Sequence, residues 1–226
     1  DEQVSITTAN ITLNGNGALI QPSSLVSDTT QGSPCTNGVG TAIVLVSGVT
    51  GVTLNDVSVD GSMINPMPAR FIGIFYRNAS GAINGGSVTH VRNDPLDGVQ
   101  NGLGIYVQAK GPTVATVDVD DVTVSGYQKN GITFNGCGCA DTPDGVATGS
   151  ITNSTATGAG AVPVIAQNGI QVGFGAGPVT ISGNTITGHR YTGDPNNGTG
   201  SGILIFSSQD NVIDLNDVEG GNNGIV

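Results

Sequence analysis

The residues best equipped for chemistry fall in the middle of the chain. The segment His90-Val91-Arg92-Asn93-Asp94-Pro95-Leu96-Asp97-Gly98 brings together an imidazole, a cation and two carboxylates. General acid–base work on a glycan needs such groups, because one must give a proton while another takes one. Asp94-Pro95 and Asp97-Gly98 also have plain turn chemistry, since Asp caps its own backbone, Pro fixes φ and Gly permits reversal. Asp118, Asp120 and Asp121, with Asp56, form an acidic set whose hard oxygens suit Ca²⁺. Strand alternation puts Asp118 and Asp120 on one outer side, where solvation alone accounts for them. Ca²⁺ is the only cofactor this pattern suggests, and the alternative is none.

Charge narrows the partners. The chain has 17 acidic and 6 basic residues, for a net charge of −11. Nucleic acid and anionic membrane surfaces are polyanions and are excluded as general partners. The charge is uneven: residues 1–69, 70–129 and 130–226 carry −5, 0 and −6. The neutral middle contains Arg70, Arg77, Arg92, Lys110 and Lys129, so a patch meeting a carboxylated ligand is expected there, against chance clustering. Three cysteines remain, Cys35, Cys137 and Cys139, with no nearby His to complete a zinc site. A disulfide is the expectation, either Cys137–Cys139 or one of them with Cys35.

These groups need a scaffold, and composition limits it severely. Gly supplies 37 of 226 residues, Trp is absent and only 10% of the chain is charged, yet 37% is hydrophobic. Such a chain is poor in helix formers but rich in the β-branched residues of a core, so an all-β protein is expected. No apolar run is long enough to span a membrane as a helix.

Two interleaved repeats set the architecture. A small residue followed by Ile recurs at Ala42-Ile43, Gly73-Ile74, Gly104-Ile105, Gly131-Ile132, Gly169-Ile170, Gly202-Ile203 and Gly224-Ile225. Between them lie aliphatic pairs five apart, often followed by Gly: Leu54/Val59/Gly61, Val119/Val124/Gly126, Ile181/Ile186/Gly188 and Ile213/Val218/Gly220. Ile83/Val88 fits this series, but His90 stands where Gly belongs. Period-two alternation around each member predicts at least two short strands per repeat of roughly 30 residues. A unit this small must stack on its neighbours to bury its apolar face. A parallel β-solenoid of about seven coils is expected, as one domain over residues 1–226. A propeller would need four strands per blade. Exposed coil ends invite edge pairing. The chain is therefore expected to belong to a longer protein, to be capped by another domain, or to make end-to-end or oligomeric contacts.

If Ile and the residue two later point inward, the first and third residues after Ile point outward. The central coils then present Phe75, Arg77, Tyr106, Gln108, Thr133, Asn135 and Gln171 side by side. Aromatic rings beside amide and guanidinium donors suit sugars, which offer both C–H faces and hydroxyls. The expected substrate-binding residues are Phe75, Tyr106, Gln108, Asn135, Gln171, Asp94 and Asp97. An ordinary sheet face under a loop is the competing reading.

The runs Lys129-Asn130-Gly131-Ile132-Thr133-Phe134, Gln167-Asn168-Gly169-Ile170-Gln171-Val172 and Ile181-Ser182-Gly183-Asn184-Thr185-Ile186-Thr187-Gly188 resemble repeats of right-handed parallel β-helices. Pectate-lyase-like proteins with carbohydrate-binding or sugar-hydrolase repeats share this pattern. The resemblance spans residues 40–226, with 6–21 as a weaker first coil. It implies a secreted or cell-surface module that binds, and by lyase- or epimerase-like chemistry processes, a carboxylated polysaccharide. Lyases of this kind use Arg or Lys as base, for which Arg77, Arg92, Lys110 and Lys129 are conceivable; with His90, the imidazole that breaks the Gly series, the candidate catalytic set is His90, Arg77, Arg92 and Lys129. The paired Asp residues of related polygalacturonases are missing from the corresponding strand, which argues against a hydrolase. The alternative is a non-catalytic structural or adhesive β-helix.

Overall fold

The computed structural model describes residues 2–26, 40–136 and 145–226. Cys35, Cys137 and Cys139 lie outside the described residues. Among the described residues the strands assort into three parallel sheets, and the chain visits the sheets in strict rotation. The first sheet stacks Val4–Ile6, Thr41–Ser47, Phe71–Arg77, Leu103–Gln108, Asn130–Asn135, Asn168–Gly173, Ser201–Phe206 and Asn223–Ile225. The second stacks Thr12–Asn14, Val52–Asn55, Gly81–Asn84, Val114–Asp120, Val146–Thr152, Val179–Ser182 and Val212–Asp214. The third stacks Leu19–Ile20, Ser58–Asp60, Ser87–Thr89, Thr123–Ser125, Thr155–Val162, Thr185–Tyr191 and Asp217–Glu219. The chain is an all-β parallel β-solenoid, as the repeats predict. Among the described residues no helix is long and apolar enough to cross a membrane.

Each coil has three strands where alternation alone required two. The two aliphatic members of the second repeat, such as Val119 and Val124, sit on the second and third sheets respectively. Between them the backbone turns through one left-handed residue: Asp56, Asp121 and Asn153 all have φ between 50° and 56°. Asn and Asp tolerate this region better than other non-Gly residues, because their short side chains bond locally.

The interior is filled by in-register ladders. Val44, Ile74, Ile105, Ile132, Ile170 and Ile203 pair successively on the first sheet. Leu54, Ile83, Val119, Ile151 and Ile181 do so on the second, and Val59, Val88, Val124, Ala156 and Ile186 on the third. All are essentially inaccessible to water. Fully burying a residue of this size contributes roughly 1.5–3 kcal/mol. One expectation is corrected here. Val44 pairs with Ile74, so Ile43 is not the ladder member; it stands level with Gly73. Two adjacent aliphatic residues made either register plausible from sequence.

The Gly before each Ile has a steric cause. A Cβ on Gly73 would lie 2.5 Å from Val88 Cγ1, on Gly104 2.4 Å from Val124 Cγ1, and on Gly169 2.4 Å from Ile186 Cγ2. The Gly and the following Ile thus both face the interior, which breaks the pleat. The residue before the Gly is left pointing outward. At the opposite corner the buried backbone is satisfied by side chains. Ser154 Oγ accepts from Val122 N–H, Asn184 Oδ1 accepts from Ser154 N–H, and Asn216 Oδ1 accepts from Asn184 N–H.

Among the described residues one ionisable pair lies in the core interior. Tyr127 and His189, each 1% exposed, stack with ring centroids 6.0 Å apart, and the Tyr127 hydroxyl hydrogen-bonds to His189 Nε2. His189 Nδ1 has no partner. Burial lowers the His189 pKa to about 4 and pushes that of Tyr127 up.

Two outcomes follow for stability. Gly104→Ala should cost about 2–3 kcal/mol through overpacking, whereas Gly224→Ala, in the same column but with nothing within 4 Å of its Cβ, should be near neutral in denaturant unfolding. His189 is neutral when folded, while the unfolded chain takes up a proton near pH 6.5. Stability is therefore complete above pH 6.5 and falls as pH drops towards about 4, by about 3 kcal/mol in total. Denaturation of a His189→Gln variant across that range should lack this dependence.

Candidate functional site

The first sheet carries the most chemically varied outer face. Its first outward column runs Leu45, Phe75, Tyr106, Thr133, Gln171 and Leu204 in register. A second runs Ser47, Arg77, Gln108, Asn135, Gly173 and Phe206. The broken pleat adds a third, Ile72, Leu103, Asn130 and Asn168.

A cavity of about 300 Å³ lies over these columns. Phe75, Tyr106, Gln108, Asn135, Gln171 and Lys129 line it, so six of the sequence candidates meet at one place. Alternation missed Ile72, Leu103 and Asn130, because it assigned the position before each Gly to the interior. Arg70, Thr133, Gln100, Asn101 and Phe174 complete much of the wall. Among the described residues that line it there are two cations and no Asp, Glu or His.

One end is apolar. Phe75 and Tyr106 stack nearly parallel, with centroids 5.0 Å apart and planes 13° apart, against Ile72, Ala42, Leu45 and Leu103. Each ring covers a face of the other. They are buried to 3% and 7% exposure, so the open aromatic platform expected from alternation is instead a small outer core. Gly40 makes room for it, since a Cβ there would meet Phe75 Cε1 at 3.1 Å.

The other end is a one-way chain of amides. Asn168 Nδ2 donates to Asn130 Oδ1 at 3.1 Å, Asn130 Nδ2 to Gln171 Oε1 at 3.0 Å, and Gln171 Nε2 to Asn135 Oδ1 at 3.3 Å. Asn135 Nδ2 and Gln108 Nε2 then donate to the Tyr106 hydroxyl at 3.4 and 2.7 Å. Beside the chain, Lys129 Nζ donates to Ala166 O at 2.5 Å, and burial pushes its pKa below the usual lysine value.

The remaining candidates lie elsewhere. Arg77 is buried behind the cavity, donating to Ser47 Oγ at 2.8 Å with its guanidinium 5.9 Å from the Phe75 ring centroid. His90 sits on the corner after the third sheet, where its Nδ1 is 2.9 Å from Asp60 Oδ1. Its φ of 54° is left-handed like the 61° of Gly126 and the 68° of Gly220 at the equivalent corner, whereas Gly61 there is not left-handed. Burial raises the Asp60 pKa, but bonds from Ser62 and His90 outweigh this and hold it below the ordinary value. Asp97 is an anchor. The Val99 N–H and the side chains of Asn93 and Gln128 bond to it, and the Val99 bond is the main reason its pKa is lowered. Asp94 exchanges backbone bonds with the Asn65 side chain, while Arg92 and Lys110 also stand off the cavity wall.

The proposed calcium ligands are not gathered. Asp118 Oδ1 accepts from Ser150 Oγ, and Asp120 Oδ1 from Thr152 Oγ1 and Asn153 Nδ2, while Asp121 forms a left-handed corner. Among the described residues no group of three or more His, Cys, Asp or Glu is placed to hold a metal ion.

Compared with known proteins, the chain matches no family model, no curated protein and no solved structure.

The segment that walls the cavity at Gln100 and Asn101 is tied down by Gln128, which is fully buried. Gln128 Oε1 accepts from Asn93 N–H, and Gln128 Nε2 donates to Asp97 and to Val99 O. Gln128→Ala should therefore speed hydrogen exchange at Asn93 and Val99 by at least tenfold, while the amides of Ile132 and Ile170 stay protected.

Proposed function

We propose that this chain is an extracellular module, a right-handed β-helix of the pectate-lyase-like kind, that binds a polysaccharide in the cavity over its first sheet. The observation that carries this reading is the pairing of the Phe75–Tyr106 apolar wall with the amide chain from Asn168 to Tyr106 in one cavity. Sugar rings present C–H patches flanked by hydroxyls, and a site with one apolar end and one hydrogen-bonding end matches both. Rigid parallel stacking supports it further. Equivalent side chains repeat at about 4.8 Å, so the cavity is shaped before a ligand arrives and little ordering entropy opposes binding.

Binding is favoured over turnover. Of His90, Arg77, Arg92 and Lys129, only Lys129 lines the cavity. Acid–base chemistry on a bound sugar, of the lyase or epimerase type, would fall to that amine, and its lowered pKa suits proton transfer better than an ordinary lysine does.

Calorimetric titration with plant and microbial oligosaccharides tests the reading. Tyr106→Ala should weaken binding at least tenfold, and Asp118→Asn, on the outer face of the second sheet, should leave it unchanged. Failure of every oligosaccharide to bind, or full affinity in Tyr106→Ala, would refute the proposal.

A further inference from the structure

The chain has two lysines, Lys110 and Lys129, and they stand in opposite surroundings. Lys110 is exposed, just after the first-sheet strand Leu103–Gln108, and is not part of the cavity wall. Lys129 is half-buried and lines the cavity. Among the described residues its one polar partner is a neutral group, the Ala166 carbonyl, at 2.5 Å. The described residues that line the cavity include no Asp or Glu, so no carboxylate there balances an ammonium. A cation withdrawn from water and left without an anion is costly, and a lysine avoids that cost by giving up its proton. Burial accordingly holds the Lys129 pKa below the usual lysine value. A desolvated neutral lysine is a nucleophile towards carbonyl carbon.

The cavity limits which carbonyl can be reached. Its volume of about 300 Å³ is at the small end for ligand sites. That size suits the end of a glycan better than a stretch of its middle. The end is also where the reactive carbonyl lies, because a reducing sugar opens to an aldehyde while every internal sugar is locked as an acetal. Asn130, Asn135 and Gln171 line the same cavity with neutral amides, which bind hydroxyls and offer no competing nucleophile. Among the described lining residues there is also no imidazole or carboxylate to shuttle protons. Slow capture, rather than rapid turnover, follows from that composition.

We propose that Lys129 is a covalent binding residue, whose Nζ adds to the aldehyde of a reducing-end sugar seated in the cavity and holds it as an imine. This rests on the glycan-binding reading above. The nitrogen lone pair forms a C–N bond as the carbonyl π bond opens, and a proton passes from nitrogen to the new hydroxyl. Loss of water then leaves the C=N bond. Nothing is oxidised or reduced, and hydrolysis reverses the step.

The test incubates the full chain with reducing trisaccharides of plant and microbial origin and cyanoborohydride, which reduces an imine to a stable secondary amine. Peptide mass spectrometry then locates the adduct. At pH 7 the label should accumulate on Lys129 at least tenfold faster than on Lys110, and its rate should level off at a lower pH than that of Lys110. The same trisaccharides reduced beforehand to alditols should leave no label. In calorimetry without cyanoborohydride, the reducing form should bind about fivefold more tightly than its alditol. Lys129→Arg, which keeps the charge and the donor but not the nucleophile, should abolish that difference. Equal labelling of the two lysines by a trisaccharide that binds, or an affinity difference that persists in Lys129→Arg, would overturn the covalent role and leave the glycan site intact. Absence of both binding and preferential labelling would overturn this inference together with the site it rests on.

Discussion

The close approach of the first and third sheets governs much of the rest of the molecule. At Gly73, Gly104 and Gly169 the facing Val88, Val124 and Ile186 leave no room for even a methyl group. This contact forces two consecutive residues of each first-sheet strand to face the core. A regular pleat cannot do that, since successive side chains point to opposite faces. The irregularity recurs in register from coil to coil, so its consequence recurs as well: the residue before each Gly turns outward. Ile72, Leu103 and Asn130 enter the cavity wall for that reason. Packing inside the solenoid thus sets the chemistry outside it.

The second constraint is that corners must satisfy their backbone. Ser154, Asn184 and Asn216 do so between the second and third sheets, and Gln128 and Gln167 between the third and first. Gln167 Nε2 donates to the carbonyls of Tyr127 and Gln128, and its Oε1 accepts from Ala159 N–H. These bonds fix the chain immediately before Lys129 and Asn130, two residues of the polar wall. Corner capping and site positioning are the same interactions here, so a corner defect would reach the cavity without touching it.

How much of this was legible in the sequence depended on whether a feature repeated. The Ile ladder and the Gly before it were visible because stacking repeats them, and the outward set Phe75, Tyr106, Gln108, Asn135 and Gln171 followed from alternation alone. Alternation failed where the pleat breaks, so Asn130 and Leu103 were missed although they lie in the same repeat. It slipped by one at Ile43-Val44, where both residues are aliphatic and only the pairing with Ile74 decides. Mutual stacking of Phe75 and Tyr106 depends on side-chain torsions that no spacing encodes. His90 was singled out correctly as a break in the Gly series, but the break reflects a left-handed backbone and a bond to Asp60, not a place in the cavity.

The charge distribution takes on a different meaning once the residues are placed. The neutral middle segment suggested a patch that meets a carboxylated ligand, and its charges separate in space. Asp97 and Asp120 are held by hydrogen bonds to loops and neighbouring strands, whereas Arg70 and Lys129 face the cavity. A chain of net charge −11 repels anions at long range. At physiological ionic strength that field is screened beyond about 8 Å. Any attraction of an anion to the cavity would then have to arise at contact, where a low dielectric strengthens a bond to a cation. A few well-placed donors can therefore oppose a much larger charge spread over the surface.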